Sequence, residues 1–211
     1  MNKNLPFDPV RDFAGVSLVG EAPTIVTVPP ALDVSNLKEF VARAKARPGT
    51  INYGSAGIGT ATHLAGAYFA LKTDTDLVHI PYTVSATIIA DMLGGRIQAS
   101  FVPAAFVLPL LQDGRLRALA VSAREPVTDP IRIPTALSQG IDYQNATWYG
   151  ILAPAKTPKS VLQSLSQAIS EVGKDPELQA KICAQGIDPR DIELENSTSI
   201  FRLTWLAWTR C

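Results

Sequence analysis

Between Ile51 and Gly66 the chain runs Ile-Asn-Tyr-Gly-Ser-Ala-Gly-Ile-Gly-Thr-Ala-Thr-His-Leu-Ala-Gly, and its most suggestive chemistry is concentrated there. The run Ile51 to Gly54 predicts a short strand, while Leu64, Ala67, Tyr68 and Leu71 recur at helical spacing and predict a helix. The loop between them alternates glycine with small hydroxyl residues. Such a loop brings backbone N–H groups to a helix N-terminus, where unpaired donors and the positive end of the dipole suit an anion, a carboxylate as readily as a phosphate. Glycine permits close approach and positive φ, and Thr60 or Thr62 can cap the helix or offer a hydroxyl. An ordinary strand-to-helix turn, in which glycine and threonine only shape the backbone, accounts for these residues equally well.

Other chemistries fit less well. A dinucleotide fingerprint needs a third glycine three residues after Gly59, where Thr62 stands. A nucleophile elbow needs glycine two residues before Ser55, and position 53 is tyrosine. A small serine hydrolase built on Ser55 and His63 is therefore a remote alternative. His79 lies inside an apolar run and suits an interior side chain. Two histidines without clustered cysteines or carboxylates predict no metal site, and nothing in the chain calls for a cofactor. Tyr82 and Ser85 follow a strand ending at Ile80, which in a parallel sheet puts them on the same edge as the glycine loop, where open α/β sheets bind ligands. Their plain alternatives are a packing tyrosine and a helix cap.

These residues need a scaffold, and the 211 residues suffice for one large domain or two modest ones. Nineteen basic residues balance nineteen acidic ones with no basic block, which argues against nucleic acid or an anionic membrane as partner. No stretch approaches a membrane span, so the chain is not itself membrane-spanning. Cys183 and Cys211 have no metal-ligand spacing and read as two idle thiols that could pair. Val16 to Val19 and Ile25 to Val28 predict two strand pieces separated by Gly20 and Pro23. A helix with Leu37, Phe40, Val41 and Ala44 inward follows, capped by Ser35 or Asn36.

From residue 50 to 122 strands alternate with helices: strands at 77–80, 97–102 and 116–121, a helix capped by Ser85, and one opened by Pro103 that carries Phe106 to Leu111. That alternation predicts a parallel α/β layer covered on both faces. A proline-rich connector follows, then a strand from Trp148 to Ala153 and helices begun by Thr157-Pro158 and Asp175-Pro176. The tail from Ser197 places Phe201, Trp205 and Trp208 at helical spacing and predicts a terminal helix that another surface must cover. The pattern suggests one lobe over 21–122 and a second assembled from 1–20 and 123–211.

YGSAGIGTATHLAG, VHIPY with a helix ending in LGG, GRLRALAVSA and WYGILAPAKTPKSVLQSL, preceded by FDPVRDFAGVSLV, resemble in order the tripartite tricarboxylate transporter receptors, the Bug family of solute-binding proteins. The resemblance runs from about Leu5 to about Asp188. It implies an α/β fold of the type II periplasmic binding protein kind, with two lobes and parallel-rich sheets. It also implies closure over a small organic carboxylate that is handed to membrane permease subunits, without bond-making chemistry. Carried over by position, Ser55, Ala56, Gly57, Gly59, Thr60, Thr62 and His63 form one ligand loop. Gly57, Gly59 and Thr60 would offer N–H groups, Ser55 and Thr62 hydroxyls, and His63 a brace.

The chain also departs from the family. It aligns only after the family's secretion signal and first-lobe loop, so the first lobe is expected to be incomplete and a truncated, non-binding fragment is an alternative. The family implies the periplasm, yet MNKNLPFDPVRDF holds no secretory signal, which would leave a chain begun at Met1 in the cytoplasm. Thr83-Val84 replaces the family's Lys-Gly, and Val102 stands where an acidic residue is common. The last fifteen residues lack the usual charged helix.

Overall fold

The chain's longest strand, β1 (Phe13–Val28), runs straight through the Gly20 and Pro23 that predict a break. A proline can sit there because pairing changes partner around it: Leu18 to Glu21 face a strand near the chain's end, and from Thr24 onward two other strands take over. The structure, a computed structural model, describes residues 6–125 and 131–192. The chain divides into a larger unit, Pro23–Thr147, and a smaller one made of Met1–Ala22 and Trp148–Cys211.

In the larger unit α1 (Leu37–Ala46) starts at Asn36, whose side chain accepts the Glu39 N–H while the Glu39 carboxylate takes the Ser35 N–H, a reciprocal cap. Then come β2 (Ile51–Ser55), α2 (Ala61–Thr73), β3 (Leu77–Pro81), α3 (Ser85–Leu93), β4 (Ala99–Pro103), α4 (Leu108–Gln112) and β5 (Arg117–Val121). The sheet order is β3-β2-β4-β1-β5. β2 pairs in parallel with β3 and β4, whereas β1 lies antiparallel between β4 and β5. The buried hydroxyls of Thr27 and Ser100 meet at 2.6 Å and hold the β1–β4 register.

Both faces are covered. On one, Phe40, Tyr53, Phe69, Phe101 and Tyr143 form an aromatic core, with Phe69 and Tyr143 edge to face at 5.1 Å. On the other, Ile25, Ile88, Met92, Ile97, Val121 and Ile133 pack under α3 and α4. Tyr143 is fully buried, its hydroxyl donates to the Ala65 carbonyl at 3.2 Å, and burial pushes its pKa up. The Ala136 N–H bonds to Val121 O. The stretch 131–147, grouped by composition with the chain's ends, therefore packs with the larger unit.

Two local expectations change. The helix opened by Pro103 is instead a short 3-10 turn, Ala104–Phe106, followed by α4, because Pro109 has no N–H for a continuous ladder and its ring would strike the Ala105 carbonyl. The residue that caps α3 is Val84, without a side-chain bond, and Ser85 is the first helical residue; the Ser85 side chain lies outside what the structure describes. The expected terminal helix from Ser197 and any pairing of Cys211 also fall outside the described residues, while Cys183 is an exposed free thiol.

The smaller unit contains the first part of β1, β6 (Ala146–Pro154) from Trp148 onward, α5 (Lys159–Gly173), α6 (Pro176–Ala184) and β7 (Asp188–Ile192). β6 and β7 both pair with β1, and β7 is antiparallel to it. Asp175 caps α6 by accepting the Glu177 N–H.

Two glycines let helices approach the sheet where the ligand loop begins. A Cβ on Gly66 of α2 would lie 2.3 Å from the buried Tyr53 ring, and one on Gly54 of β2 would lie 2.5 Å from Ile88 of α3. Gly66→Ala should cost about 1–3 kcal/mol in urea unfolding, the usual penalty of overpacking. Gly173→Ala, with open space around its Cβ, should leave the midpoint unchanged or raise it. Equal midpoints for Gly66→Ala and the parent would contradict this packing account.

Candidate functional site

The site is built where β2 ends. Ser55 closes the strand and is fully buried. Gly57 and Gly59 take φ of +117° and +83°, a region that side-chain-bearing residues rarely enter, and so turn the chain back toward α2. Thr60 is the helix N-cap: its side chain accepts the His63 N–H, and its hydroxyl donates to the Gly57 carbonyl at 2.7 Å.

The donors in this loop are divided sharply. Ala56 gives its N–H to Thr62 Oγ1 at 3.0 Å, Gly57 to Ser55 Oγ at 3.1 Å, Gly59 to His63 Nδ1 at 3.2 Å and Thr60 to the Gly57 carbonyl at 3.3 Å. The expectation that Gly57, Gly59 and Thr60 offer their amides outward is corrected here: all three are already bonded within the loop. Steric freedom makes the two glycines the bend, and their N–H groups are taken up within the loop. The amides of Ile58, Ala61 and Thr62 meet no acceptor among the described residues. Ala61 and Thr62 are the first two helical positions, which a threonine cap bonding the third leaves open. Placing Thr60 as the cap is the signal in the sequence that could have identified them.

Both histidines hold the loop from beneath. His79 Nε2 lies 2.6 Å from Ser55 Oγ, and the His63 and His79 rings are 4.2 Å apart. Tyr53 stacks on His79 at 5.0 Å. Burial lowers the pKa of both imidazoles, and the neighbouring His63 lowers that of His79 further. His63 braces the loop through Nδ1, so in its neutral form the ring proton sits on Nε2. Ser55 pairs with His79 rather than His63 and has no exposed surface, so it cannot meet a substrate as a nucleophile.

Tyr82 is brought to the same edge, its N–H donating to the Ser55 carbonyl at 2.8 Å. Its hydroxyl is taken: it donates to Asp91 at 2.6 Å, and burial together with that carboxylate pushes its pKa up to about 12. Asp91 is in turn paired with Arg96, which with the tyrosine hydroxyl holds its carboxyl below the ordinary range. Tyr82 thus supports the loop and offers no free hydroxyl.

Among the described residues no group of three or more histidine, cysteine or acidic side chains could hold a metal ion. No helix among them is long and apolar enough to cross a membrane. A hollow of about 520 Å³ opens in the smaller unit between β1, β6 and β7 and helices α5 and α6. Its lining is mostly aliphatic, and its one cation, Arg190, is paired with Glu21 and Asp188. That makes it an apolar hollow with partly exposed walls and a poor seat for a carboxylate.

The model of the tripartite tricarboxylate transporter family receptors matches residues 1–202. BugT of Bordetella pertussis is 29% identical over 187 residues, which cover 88% of this chain and 57% of BugT, so the chain spans little more than half of that relative. A structure described as a periplasmic transporter superposes with a TM-score of 0.83 at 34% identity, covering 95% of this chain and 67% of that one. The periplasmic binding protein BugD superposes at 0.84 with 25% identity, covering 100% of this chain and 71% of its own. A Rhodopseudomonas palustris protein solved with adipate superposes at 0.87 with 24% identity, covering 100% and 71%, and shares the fold.

With both imidazoles neutral when folded, the unfolded chain takes up protons first as pH drops. Their contribution is full above the ordinary histidine value near pH 6.5 and is lost as pH falls through the lowered folded values. The urea midpoint should therefore be flat above about pH 7 and decline between about pH 6.5 and 5, before carboxylates begin to titrate. The decline should shrink in His79→Gln. A midpoint that rises over that interval would contradict the assignment.

Proposed function

The chain belongs to the tripartite tricarboxylate transporter receptor family, and from that premise we propose that it is an extracytoplasmic receptor for a small organic carboxylate. The acid group sits at the head of α2 and the bound acid is delivered to the membrane subunits of a tripartite transporter. Membership makes the protein a solute-binding receptor and not an enzyme. The observation that carries the carboxylate reading is the unclaimed set of N–H donors at Ile58, Ala61 and Thr62, the last two in the first turn of α2, where the helix dipole favours negative charge. Ala56, Gly57, Gly59 and Thr60 then serve as frame, Ser55, His63 and Tyr82 as supports, and the Thr62 hydroxyl, tied to the Ala56 N–H, as a link between frame and helix. Ser85, first in α3 on the same edge, is retained as a candidate contact. The adipate held by one protein of this fold supports a small organic acid as the ligand. Delivery to a permease and residence in the periplasm rest on the family alone.

Ala61 gives this proposal a narrow test, because proline at the first helical position removes one N–H that the helix does not use. Thr60 is already extended, at φ −74° and ψ 162°, as a residue before proline should be. Calorimetric titration with succinate, adipate, benzoate and citrate should show binding of at least one acid to the parent chain. Ala61→Pro should weaken it by roughly tenfold or more, since a charge-assisted hydrogen bond contributes about 1.5–3 kcal/mol. Binding of none, or unchanged affinity in a folded Ala61→Pro protein, would overturn the proposal.

A further inference from the structure

Three large apolar side chains stand exposed on connections at the edge where these donors lie: Ile58 is 79% exposed, Val84 58% and Phe106 50%. Each lies in the connection that follows a strand: Ile58 after β2, Val84 after β3 and Phe106 after β4. These strands are neighbours in the order β3-β2-β4 and run parallel, so all three connections leave from one edge of the sheet. With strands about 4.8 Å apart, they start within roughly 10 Å of one another. Two of them touch, since the Tyr82 carbonyl lies 3.6 Å from where a Gly57 Cβ would be.

The same connections carry no charge. Residues 55–63, 82–87 and 103–107 include no aspartate, glutamate, lysine or arginine. An ionic pair tied to this edge, Asp91–Arg96 reached through Tyr82, satisfies itself. A ligand carboxylate is therefore met by neutral amides, and the atoms beyond it are met by aliphatic and aromatic surface. A second or third carboxylate crowded against the same edge would lose water with no cation to replace it.

Resting on the carboxylate reading, we propose that this edge selects acids with an apolar body, aliphatic or aromatic, over compact hydroxylated or tricarboxylic acids, and that Ile58, Val84 and Phe106 set the preference. The neutral amide cluster fixes one carboxylate; the apolar rim reads what is attached to it.

The test compares hexanoate and benzoate with citrate and propane-1,2,3-tricarboxylate on the full chain by calorimetry. Hexanoate or benzoate should bind at least tenfold more tightly than either tricarboxylate. The I58S/F106S double variant should lose most of that gap through weaker binding of the apolar acid. Val84→Thr, close in shape, should narrow it by a smaller factor, and unchanged urea midpoints will show that both proteins stay folded. Tighter binding of the tricarboxylates would overturn the selectivity while leaving the carboxylate site standing. Failure of every acid to bind would overturn both. An apolar preference undiminished in both variants would overturn the role given to these three side chains.

Discussion

The first turn of an α-helix has more N–H donors than the helix can use, and the loop before α2 decides which are settled inside the protein and which are left for a guest. Thr60 settles the third helical amide, and the loop settles its own at Ala56, Gly57 and Gly59 with the side chains of Thr62, Ser55 and His63. What is left over is a small set: Ile58, Ala61 and Thr62. An internally bonded frame of this kind is ordered before any ligand arrives, which lowers the entropic cost of binding.

The packing below the loop follows from that requirement. Ser55 can hold the Gly57 amide only if it is itself fixed, and His79 fixes it from the neighbouring strand. His79 keeps its place between Tyr53 and His63, and Tyr53 keeps its place because Gly66 lets α2 close onto its ring. Burial keeps both imidazoles neutral, so that His63 Nδ1 remains an acceptor and the frame stays whole at neutral pH.

Much of the scaffold was legible in the sequence because it depends on local rules. The 3.6-residue spacing of α1, the Asn36 cap, the Asp175-Pro176 start and the strand-helix alternation from 50 to 122 all reappear, and α2 forms as well, though it buries Ala65, Gly66, Phe69 and Thr73 and leaves Leu71 exposed. What could not be read depends on contacts distant in sequence. That Phe13–Val28 is one strand follows from pairing with segments more than seventy residues away, and local turn chemistry at Gly20 and Pro23 argues the opposite. The Ser55–His79 bond follows from the register between β2 and β3. The glycines of the loop were legible as important but misassigned in role, since their N–H groups are taken up within the loop. In the sequence Ile58 is simply an apolar residue between two glycines, and only its exposure marks it.

The division of donors is the claim on which the rest stands, and amide chemical shifts observe it residue by residue. In a ¹H–¹⁵N titration of the full chain with adipate, the amide protons of Ile58, Ala61 and Thr62 should move downfield together and saturably, while those of Gly57 and Gly59 stay nearly fixed. Large shifts at Gly57 and Gly59 with none at Ala61 and Thr62, or saturable shifts confined to another part of the chain, would contradict the account.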